Sequence, residues 1–479
     1  MIEAKGANGQ EIVRSLANLI GGHLVSGDPQ ELAAAAHDTL RRARASAGNL
    51  ARMVQPLAVV RPQHTEDVVA VVCFAAQEGL AIVQLGGGTG LMGGARSIRA
   101  GIVLDMTSMQ RILSIEPEDR TTRVQPGVVL DQLNNALEPL GLMLGHDPWT
   151  VPVATVGGTI STNSLGYRGA RYGSMGDQVL GLEVVLGDGS ILRTRPAARS
   201  STGPQLRHLF IGAEGTLGVI TEATLRVFPL PESRRLRAFE FPDFDSGFRA
   251  VESLFAINLV PAMVDYGQTY AGSRESPALF TPEGSPGRLQ LAFEGFAEAV
   301  EAAERRATRI CLQNSGAALP EAEAQEFWED RHVVAERFRV RRAKDDHDSW
   351  LEGGVLFDFV HVALPASQVL SYRDRAAALM AGRGVSVIEW GLWNTPELFS
   401  AVVQRPVRDE TEARTFAAAV DELLRLAQDL GGSMEYCHGA GLRLASLMER
   451  EHGRGLELLR AIKSAADPHG LMNPGKLNL

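Results

Sequence analysis

The chain carries the stretch LGGGTGLMGGA at residues 85–95, at the end of a strand-like run and shortly before the run GIVLDM. Gly88, Gly90 and Gly93 form a literal G-x-G-x-x-G, the pattern of a nicotinamide-binding βαβ unit. That unit needs a helix after the glycines, and its crossover takes at least about 10–12 residues. Only residues 94–101 separate Gly93 from the next strand, so no helix fits. We therefore predict a loop between two adjacent strands.

Two more stretches share the chemistry of this loop. Residues 145–173 and 211–223 are rich in glycine, hydroxyl and amide groups and poor in large apolar side chains. Backbone N–H groups in such a nest can cradle a pyrophosphate without a helix dipole, and hydroxyls can bond a ribityl chain or a ring edge. For the first loop alone, a purely structural turn is the alternative. Three such loops in one strand-rich region predict an extended, polar ligand, and a dinucleotide fits.

Strand-like runs dominate the sequence around these loops. A helical pattern over residues 65–78 has Thr65 as a candidate N-cap and Gly79 just past its end. Two strands are predicted around a polar turn at residues 111–127, and a hairpin is predicted to turn at residues 187–189. This organisation favours an α+β domain over a doubly wound sheet.

A second unit begins after the proline-rich stretch FPLPESRR. Beyond it, apolar strand-like runs alternate with helical patterns at long spacing up to about residue 430. We predict a second α+β domain, built on one antiparallel sheet with helices on one face.

Composition sets outer limits on function. The chain has 479 residues, too many for one compact core, and a net charge of −10, which argues against a nucleic-acid partner. Three widely spaced cysteines, Cys73, Cys311 and Cys437, argue against a disulfide framework or a cysteine-ligated cluster and for a reducing compartment. We read no signal peptide and no apolar run of membrane-spanning length. The expectation is a cytoplasmic protein without a transmembrane segment.

At its three loops the sequence resembles the FAD-binding domain of the vanillyl-alcohol oxidase and p-cresol methylhydroxylase superfamily. The motifs that match in order and spacing are GGGTG, GIVLD, RTTRVQPGV, ATVGGTISTNSLG, RYGSMGDQVLGLEVVLGDG and GAEGTLGVITEATLRVFP. They are similar to the branch that holds D-lactate and glycolate dehydrogenases, and the tail IKSAADPHGLMNPGKL resumes the match. Within that branch, GHDPWTVPVATVGG and RSSTGPQLRHLFIGAEGTLGVITEA look closest to alkyl-dihydroxyacetone-phosphate synthase and its bacterial relatives.

The resemblance implies an α+β fold with a two-subdomain FAD-binding domain of the p-cresol methylhydroxylase type and an α+β cap domain with an antiparallel sheet. The predicted units are an N-terminal helical arm at 1–55, the FAD-binding domain at 56–230, a substrate-binding cap at 231–430 and a C-terminal segment at 431–479 that returns to the flavin.

The resemblance also assigns cofactor-binding residues by motif. The first loop would hold the pyrophosphate, the second the flavin and the third the adenine side. The assigned residues are Leu85, Gly86, Gly87, Gly88, Thr89, Gly90, Trp149, Thr150, Thr155, Gly158, Ser161, Thr162, Ser164, Glu214, Thr216, Gly218, Val219, Ile220 and Asn473. Thr89 stands where relatives with covalently bound flavin carry a histidine, so noncovalent FAD is expected.

Two departures from the family pattern bear on the substrate. The 2-hydroxy-acid dehydrogenases hold a metal with a Gly-His-x-Gly-Asp-Gly-Asn-x-His motif and a later Glu-His pair. The region here that corresponds to the first motif, residues 388–403, reads IEWGLWNTPELFSAVV and has no histidine. No metal is therefore predicted. The alkyl-phosphate synthases use three consecutive histidines, where this chain has Tyr436-Cys437-His438, and a tyrosine in the neighbouring aromatic strand, which here offers Phe399.

The catalytic candidates follow from the same tail motif. His438 could take a substrate proton as a general base, with Tyr436 as a hydroxyl partner two residues away on the same face of a strand. The alternative is a histidine bonded to backbone in a glycine turn. Trp390, Trp393 and His361 are candidate substrate-binding residues, although core packing is the commoner role of such side chains.

Other charged residues have two open interpretations. Arg96, Arg168 and Arg171 flank the glycine loops, where they could meet phosphates or balance nearby carboxylates. The cluster Asp345–Asp348 offers ligand-type side chains, but a solvated surface loop is the safer interpretation.

The predicted function is an FAD-dependent oxidoreductase that moves hydride from an alcohol, a 2-hydroxy acid or a related C–H donor to flavin. A flavin-dependent transferase like the alkyl-phosphate synthases and a flavin-binding protein without catalysis are the alternatives. The expected partners are a small-molecule substrate and an electron acceptor that the sequence does not identify, and a homodimer is expected.

Overall fold

A computed structural model describes residues 9–40, 54–269, 285–335 and 354–479. The helices are α1 (Gly9–Ile20), α2 (Pro29–Ala35), α3 (Thr65–Glu78), α4 (Leu130–Leu137), α5 (Val156–Thr162), α6 (Gly169–Tyr172), α7 (Met175–Gln178), α8 (Phe244–Ala256), α9 (Ala297–Gln313), α10 (Glu321–Asp330), α11 (Val369–Gly382), α12 (Glu410–Asp429), α13 (Met448–His452) and α14 (Arg454–Ala466). The strands are β1 (Val25–Ser26), β2 (Ala58–Val60), β3 (Ala81–Leu85), β4 (Gly101–Asp105), β5 (Ile112–Glu116), β6 (Thr121–Val124), β7 (Leu142–Met143), β8 (Val179–Val185), β9 (Ile191–Arg193), β10 (Val219–Arg226), β11 (Phe228–Pro229), β12 (Ser233–Phe241), β13 (Met263–Thr269), β14 (Gly287–Gly295), β15 (Ala317–Ala318), β16 (Val355–Ala363), β17 (Ser386–Trp393) and β18 (Leu398–Pro406). None of these helices is both long and apolar enough to cross a membrane.

The first sheet has the order β1-β2-β4-β3, and its strands β2, β3 and β4 are short, largely buried and rich in β-branched residues. Strand β4 pairs in parallel with both β2 and β3, and the glycine stretch joins β3 to β4 without a helix, as the spacing predicts. Helix α3 occupies the predicted span and ends at Gly79 in the left-handed conformation. Its N-cap is His64, however, because the Thr65 hydroxyl instead donates to Glu183.

The second sheet has the order β5-β6-β10-β8-β9, and its strands are antiparallel. Strands β5 and β6 flank the predicted polar turn, and β8 and β9 form the hairpin predicted at residues 187–189. The two sheets form the two subdomains of an α+β unit, which confirms the predicted fold class.

Residues 9–40 pack against the first sheet and do not project from it. Ile12 and Leu16 of α1 are buried with residues of α3 and β2, and β1 extends the sheet at its edge. The apolar face of α1 explains this packing, because a helix buries such a face against the nearest core.

The cap sheet consists of β12 to β18 in the order β15-β12-β14-β13-β17-β18-β16, and every pairing in it is antiparallel. Helices α8, α9, α11 and α12 bury one face of this sheet in the largest hydrophobic core. The single antiparallel sheet is therefore confirmed. The expectation of helices on one face fails at α10, which places Ala324 and Trp328 against Leu236 and Ala238 on the opposite face.

The C-terminal segment returns to the first subdomain after the cap. Met472 pairs in parallel with Ile82 of β3, and the Asn473 amide donates to the Ile82 carbonyl at 2.7 Å. Residues that lie on both sides of the cap in sequence therefore stand together at the glycine loop.

Candidate active site

A pocket forms where the three predicted loops meet. The assigned residues that line it are Leu85, Gly86, Gly87, Gly88, Thr89, Gly90, Trp149, Thr150, Thr155, Gly158, Ser161, Thr162, Ser164, Glu214, Gly218, Val219, Ile220 and His438. Thr216 and Asn473 are buried behind this lining, and Tyr436, His361, Trp390 and Trp393 are not part of it.

The glycine loop lies too close to the neighbouring backbone for side chains. A Cβ on Gly86 would lie 2.3 Å from the Thr155 hydroxyl, and one on Gly87 would lie 2.3 Å from the Val153 carbonyl. The N–H groups of residues 88–90 have no hydrogen-bond acceptor within the described parts of the chain. Amides in this state are suited to bind an anionic or strongly polar group.

The second of the three predicted loops, residues 145–173, contributes a helix to the pocket wall, which corrects the prediction of a loop there. Residues 156–162 form α5, and Gly157, Gly158 and Thr159 in its first turn line the pocket. The first turn of a helix therefore lies at the pocket, where only loops were predicted. The sequence did not predict this helix, because the glycines and hydroxyl residues of the segment have poor helix propensity. In the fold, Ser161 and Thr159 donate their hydroxyl hydrogens to carbonyls of the preceding turn.

Ser164, at the end of this wall, is held by a buried histidine. The Ser164 hydroxyl lies 2.9 Å from Nε2 of His146. Burial lowers the pKa of His146 to about 4, so this imidazole is neutral near pH 7. A neutral imidazole can accept or donate one hydrogen bond and thereby fix the serine orientation.

Glu214 fastens the third loop to the C-terminal segment. One of its carboxylate oxygens accepts from the amides of Ala440 and Gly441 at 2.7 and 2.9 Å. Burial raises the pKa of Glu214 to about 7, although these two amides act in the opposite direction. The Asn473 side chain donates to the carbonyls of Gly94 and Glu214 at 2.7 and 2.6 Å. Glu214 and Asn473 thus hold the loops around the pocket together.

The N-terminal segment adds a residue that the sequence did not reveal. Asp38 lines the pocket and pairs with Arg96 at 2.9 Å, both side chains being buried. Arg96 also donates to the Leu40 carbonyl. Arg168 and Arg171 likewise bind protein groups, chiefly on Glu294. For Arg96 and Arg168 the structure favours the carboxylate-balancing interpretation, whereas Arg171 donates to the main-chain carbonyl of Glu294.

A polar cluster adjoins the pocket at His438. The imidazole rings of His438 and His361 are 4.5 Å apart, and the Tyr436 ring lies 5.4 Å from that of His361. Glu435 completes the cluster, with a carboxylate oxygen 3.6 Å from Nδ1 of His438. Tyr436 and His361, assigned from the sequence to different roles, therefore stand together, and Glu435 was missed.

The charges within the cluster are coupled. Burial alone would lower the pKa of His438, but Cys437 and Glu435 raise it to about 10. Burial would raise the pKa of Glu435, but His438 and His361 hold it below its ordinary value. The pair thus carries a proton on the imidazole. The general-base role of His438 stays a prediction, and it requires the pair to lose this proton first.

The face of the cap sheet beside the cluster is polar. Asp265 on β13 and Trp393 on β17 are paired neighbours, and Thr269 donates its hydroxyl hydrogen to Glu389 at 3.3 Å. Burial and the charge of Glu389 raise the pKa of Asp265 to about 7. Trp390 points to the other face, where it is only 5% exposed and packs on Phe399 in the core.

A buried ionic cluster joins the FAD-side subdomain to the residues that directly follow helix α10 of the cap. Asp147 accepts from Arg331 at 3.1 Å and from His332 at 3.0 Å, with Arg168 3.9 Å away. Burial alone would raise the pKa of Asp147, but Arg168, His332 and Arg331 hold it well below its usual range. Residues 345–348, the other acidic candidate, lie outside the described residues.

The fold and the pocket define a class of protein. The side-chain-free glycine loop, its available amides and the hydroxyl-lined wall of α5 fit a long cofactor with a diphosphate and a polar chain. Such a pocket, covered by an antiparallel cap, is that of an FAD-dependent oxidoreductase. The model for the FAD binding domain matches residues 56–195, and that for the C-terminal domain of FAD linked oxidases matches residues 230–477. The chain belongs to the FAD-linked oxidase family and binds FAD.

Curated relatives cover nearly the whole chain. D-lactate dehydrogenase of Archaeoglobus fulgidus is 31% identical over 430 residues, which are 89% of this chain and 92% of the relative. D-2-hydroxyglutarate dehydrogenase of Xanthomonas citri is 31% identical over 88% of this chain and 89% of its own length. The glycolate oxidase subunit GlcD of Bacillus subtilis is 29% identical over 88% of this chain and 89% of its own length.

Solved structures share the fold at lower identity. An alkyldihydroxyacetonephosphate synthase has a TM-score of 0.76 and 20% identity, covering 97% of this chain and 84% of its own. The 4-ethylphenol oxidase of Gulosibacter chungangensis has a TM-score of 0.78 and 18% identity, covering 99% and 98%. A p-cresol methylhydroxylase itself has a TM-score of 0.77 and 18% identity, covering 99% of this chain and 98% of its own, which confirms that type of fold.

Proposed function

We propose that this enzyme oxidises a small molecule at a C–H bond next to a hydroxyl or related oxygen, with noncovalent FAD as hydride acceptor. The observation that carries the proposal is the position of His438, which lines the flavin pocket and joins it to a cluster of polar side chains. The relatives named as D-lactate and D-2-hydroxyglutarate dehydrogenases support this class of substrate.

The bound flavin supplies the redox chemistry, and the protein supplies position and a polar contact for the substrate. His438 and Tyr436 are the proposed contacts for the substrate oxygen. The Tyr436 hydroxyl is buried and has no hydrogen-bond partner within the described residues, so a substrate oxygen would satisfy it. His361 stands behind these two side chains on the rigid strand β16, where it can orient them.

Part of the predicted substrate wall is supported by the placement of Trp393. Tyr167 packs edge-on against its ring at 5.4 Å, so the indole is held at the polar face that carries Asp265. Trp390 has no such position, and we do not retain it as a substrate contact. The carboxyl groups of Asp265 and Glu389 make this face hydrogen-bonding, which suits a hydroxylated substrate.

Anaerobic mixing tests the proposal. The FAD-loaded enzyme is combined with a panel of D-2-hydroxy acids and benzylic alcohols, and flavin bleaching is followed by absorbance. At least one compound should reduce the flavin, and His438→Ala should slow that reduction. The matched control is His452→Ala, an exposed histidine that belongs neither to the pocket lining nor to the cluster. No bleaching by any donor, or equal rates in wild type and His438→Ala, would contradict the proposal.

The same assay, extended to a fatty alcohol with and without an acyl-glycerone phosphate, separates the two alternatives. A transferase of the alkyl-phosphate synthase kind would show no net bleaching by a fatty alcohol alone but would consume an acyl-glycerone phosphate together with it. A protein without catalysis would show neither. Bleaching by a single donor supports the oxidoreductase.

The proposal includes four simpler properties. Thr89 lies in the flavin pocket at the position expected of a noncovalent site, so acid denaturation should release free flavin. Cys73, Cys311 and Cys437 are all unpaired, which supports a reducing, cytoplasmic location. A homodimer and an external electron acceptor complete the proposal, and light scattering and acceptor screens test them.

A further inference from the structure

The polar face of the cap sheet carries a carboxyl group with no role in the chemistry described above. Asp265 lies on β13, in register with Trp393 of β17. We propose that the carboxylate of Asp265 accepts the hydroxyl proton of the substrate while hydride leaves to the bound flavin. This role rests on the proposed function, whereas the position of Asp265 and its titration do not.

The register of the cap strands relates Asp265 to the polar cluster. One row of paired residues crosses four strands and consists of His361, Ser400, Gly391 and Gly267. Asp265 is two residues from Gly267, so its side chain leaves the same face of the sheet. The carboxyl group and His361 therefore share one face of the cap.

The sheet leaves room for a substrate beside this carboxyl group. Gly267 and Gly391 are direct partners, so two adjacent positions of the row carry no side chain. A Cβ on Gly267 would lie no closer than 3.8 Å to any atom beyond its chain neighbours. The Asp265 side chain is neither fully buried nor fully exposed. A substrate can therefore reach it within a largely enclosed site.

The groups around Asp265 determine when it can accept a proton. Burial and the charge of Glu389 raise the pKa of Asp265 to about 7, although a hydrogen bond from Trp393 acts in the opposite direction. Burial raises the pKa of Tyr167 and Tyr436, and the charge of Asp265 adds to the increase in both. The two phenols thus keep their protons, whereas Asp265 changes charge near neutral pH, where a general base is most effective.

His438 is less suited to this role because it already carries a proton. Cys437 and Glu435 raise the pKa of His438 to about 10, against the effect of burial. A protonated imidazole can donate a hydrogen bond to the substrate oxygen but cannot take a proton from it. The Tyr436 hydroxyl has no hydrogen-bond partner in the described parts of the chain, and its pKa responds to Asp265. A substrate hydroxyl can thus contact the cluster on one side and Asp265 on the other.

The step balances in atoms and electrons. The O–H bond of the substrate breaks, and its proton goes to a carboxylate oxygen of Asp265. The adjacent C–H bond breaks as well, and its hydrogen leaves with both bonding electrons to the flavin. The C–O single bond of the substrate becomes a carbonyl, and Asp265 later returns its proton to water.

The pH dependence of flavin reduction tests the proposal. Rates are measured anaerobically at low concentration of a donor that bleaches the flavin. The wild-type rate should rise with pH and level off above about 7, because only the carboxylate accepts a proton. Asp265→Asn should lower the rate about 10²–10⁴-fold and remove this rise. The control Asp374→Asn, which changes an exposed carboxyl group of α11, should behave like wild type.

A second variant and a second signal support the test. Glu389→Gln removes the like charge beside Asp265, so the rise in rate should move to lower pH. FAD content and circular dichroism report whether each variant folds, and Glu389→Gln carries the test if Asp265→Asn does not fold. Tryptophan fluorescence of the FAD-loaded protein needs no donor. It should change near pH 7, and both Asp265→Asn and Trp393→Phe should lose this change.

The outcomes separate this role from the proposed function. If a donor bleaches the flavin but Asp265→Asn keeps the wild-type rate and pH dependence, Asp265 is not the proton acceptor and the oxidoreductase stands. Loss of the rise in His438→Ala alone would make the imidazole the base. If no donor bleaches the flavin, the proposed function falls and the acceptor role falls with it. An unchanged fluorescence titration in Asp265→Asn overturns the assignment of that titration to Asp265.

Discussion

Replacing Glu214 with alanine should loosen the C-terminal segment by a calculable amount. The substitution removes the acceptor of two amides, those of Ala440 and Gly441, at 2.7 and 2.9 Å. A buried donor without a partner costs about 1–3 kcal/mol, so the pair costs about 2–6 kcal/mol. For 479 residues, an unfolding entropy of about 2.1 cal/mol/K per residue amounts to ~1 kcal/mol/K. The melting temperature should therefore fall by roughly 2–6 °C.

The assay is thermal unfolding of the FAD-loaded protein, followed by circular dichroism and by the fluorescence of released flavin. Glu214→Gln is the matched control, because its amide oxygen can still accept from Ala440 and Gly441, so its melting temperature should fall by less than about 2 °C. Flavin release should coincide with unfolding at a lower temperature in the alanine variant only. If the alanine and glutamine variants melt together, the two amide contacts do not anchor this segment and the reasoning is refuted.

Burial raises the pKa of Glu214 to about 7. The stability that this group contributes is therefore complete at pH values below the pKa of a glutamate in the unfolded chain, and it is lost as the pH rises through about 7. The wild-type melting temperature should accordingly fall between about pH 5 and pH 8 relative to that of Glu214→Gln, measured in matched buffers. Gly87→Ala would place a Cβ 2.3 Å from a backbone carbonyl, whereas the nearest atom at Gly90 is a carboxylate oxygen at 3.7 Å. Overpacking of roughly 1–3 kcal/mol should lower the melting temperature of the flavin-free Gly87→Ala protein by about 1–3 °C, while Gly90→Ala should leave that melting temperature unchanged. Asp147→Asn leaves the half-buried Arg331 without its carboxylate partner and Arg168 with Glu294 alone. At a cost of about 3–5 kcal/mol this should lower the melting temperature by roughly 3–5 °C; no change would show that the ion pairs of Asp147 contribute nothing.

Local patterns predicted most of the fold because they depend on neighbours in sequence. The short spacing after Gly93 excluded a crossover helix, and the structure has none between β3 and β4. Gly79 ends α3 as predicted, since a left-handed residue is needed where the helix stops. The hairpin at residues 187–189 followed from the same kind of turn chemistry.

Local sequence patterns could not predict the polar cluster or part of the pocket. His361 and Glu435 meet only because β16 and the C-terminal segment come together in space, and neither neighbourhood has a local metal motif. Asp38 reaches the pocket through its pairing with Arg96, a contact between distant segments. Helix α5 was missed for the opposite reason, because its local propensity points away from a helix and the surrounding fold overrides it.

The pairing of Met472 with Ile82 limits how the chain can be truncated and affects the order in which it folds during synthesis. Strand β3 lies at the end of its sheet, and the segment around Met472 covers the edge that would otherwise be open. A fragment that stops before the cap would leave that edge bare, and bare edges recruit strands from other molecules. During synthesis, the cap must emerge from the ribosome before the edge is sealed. Expression of the N-terminal half alone should therefore yield aggregates in place of a minimal cofactor-binding module.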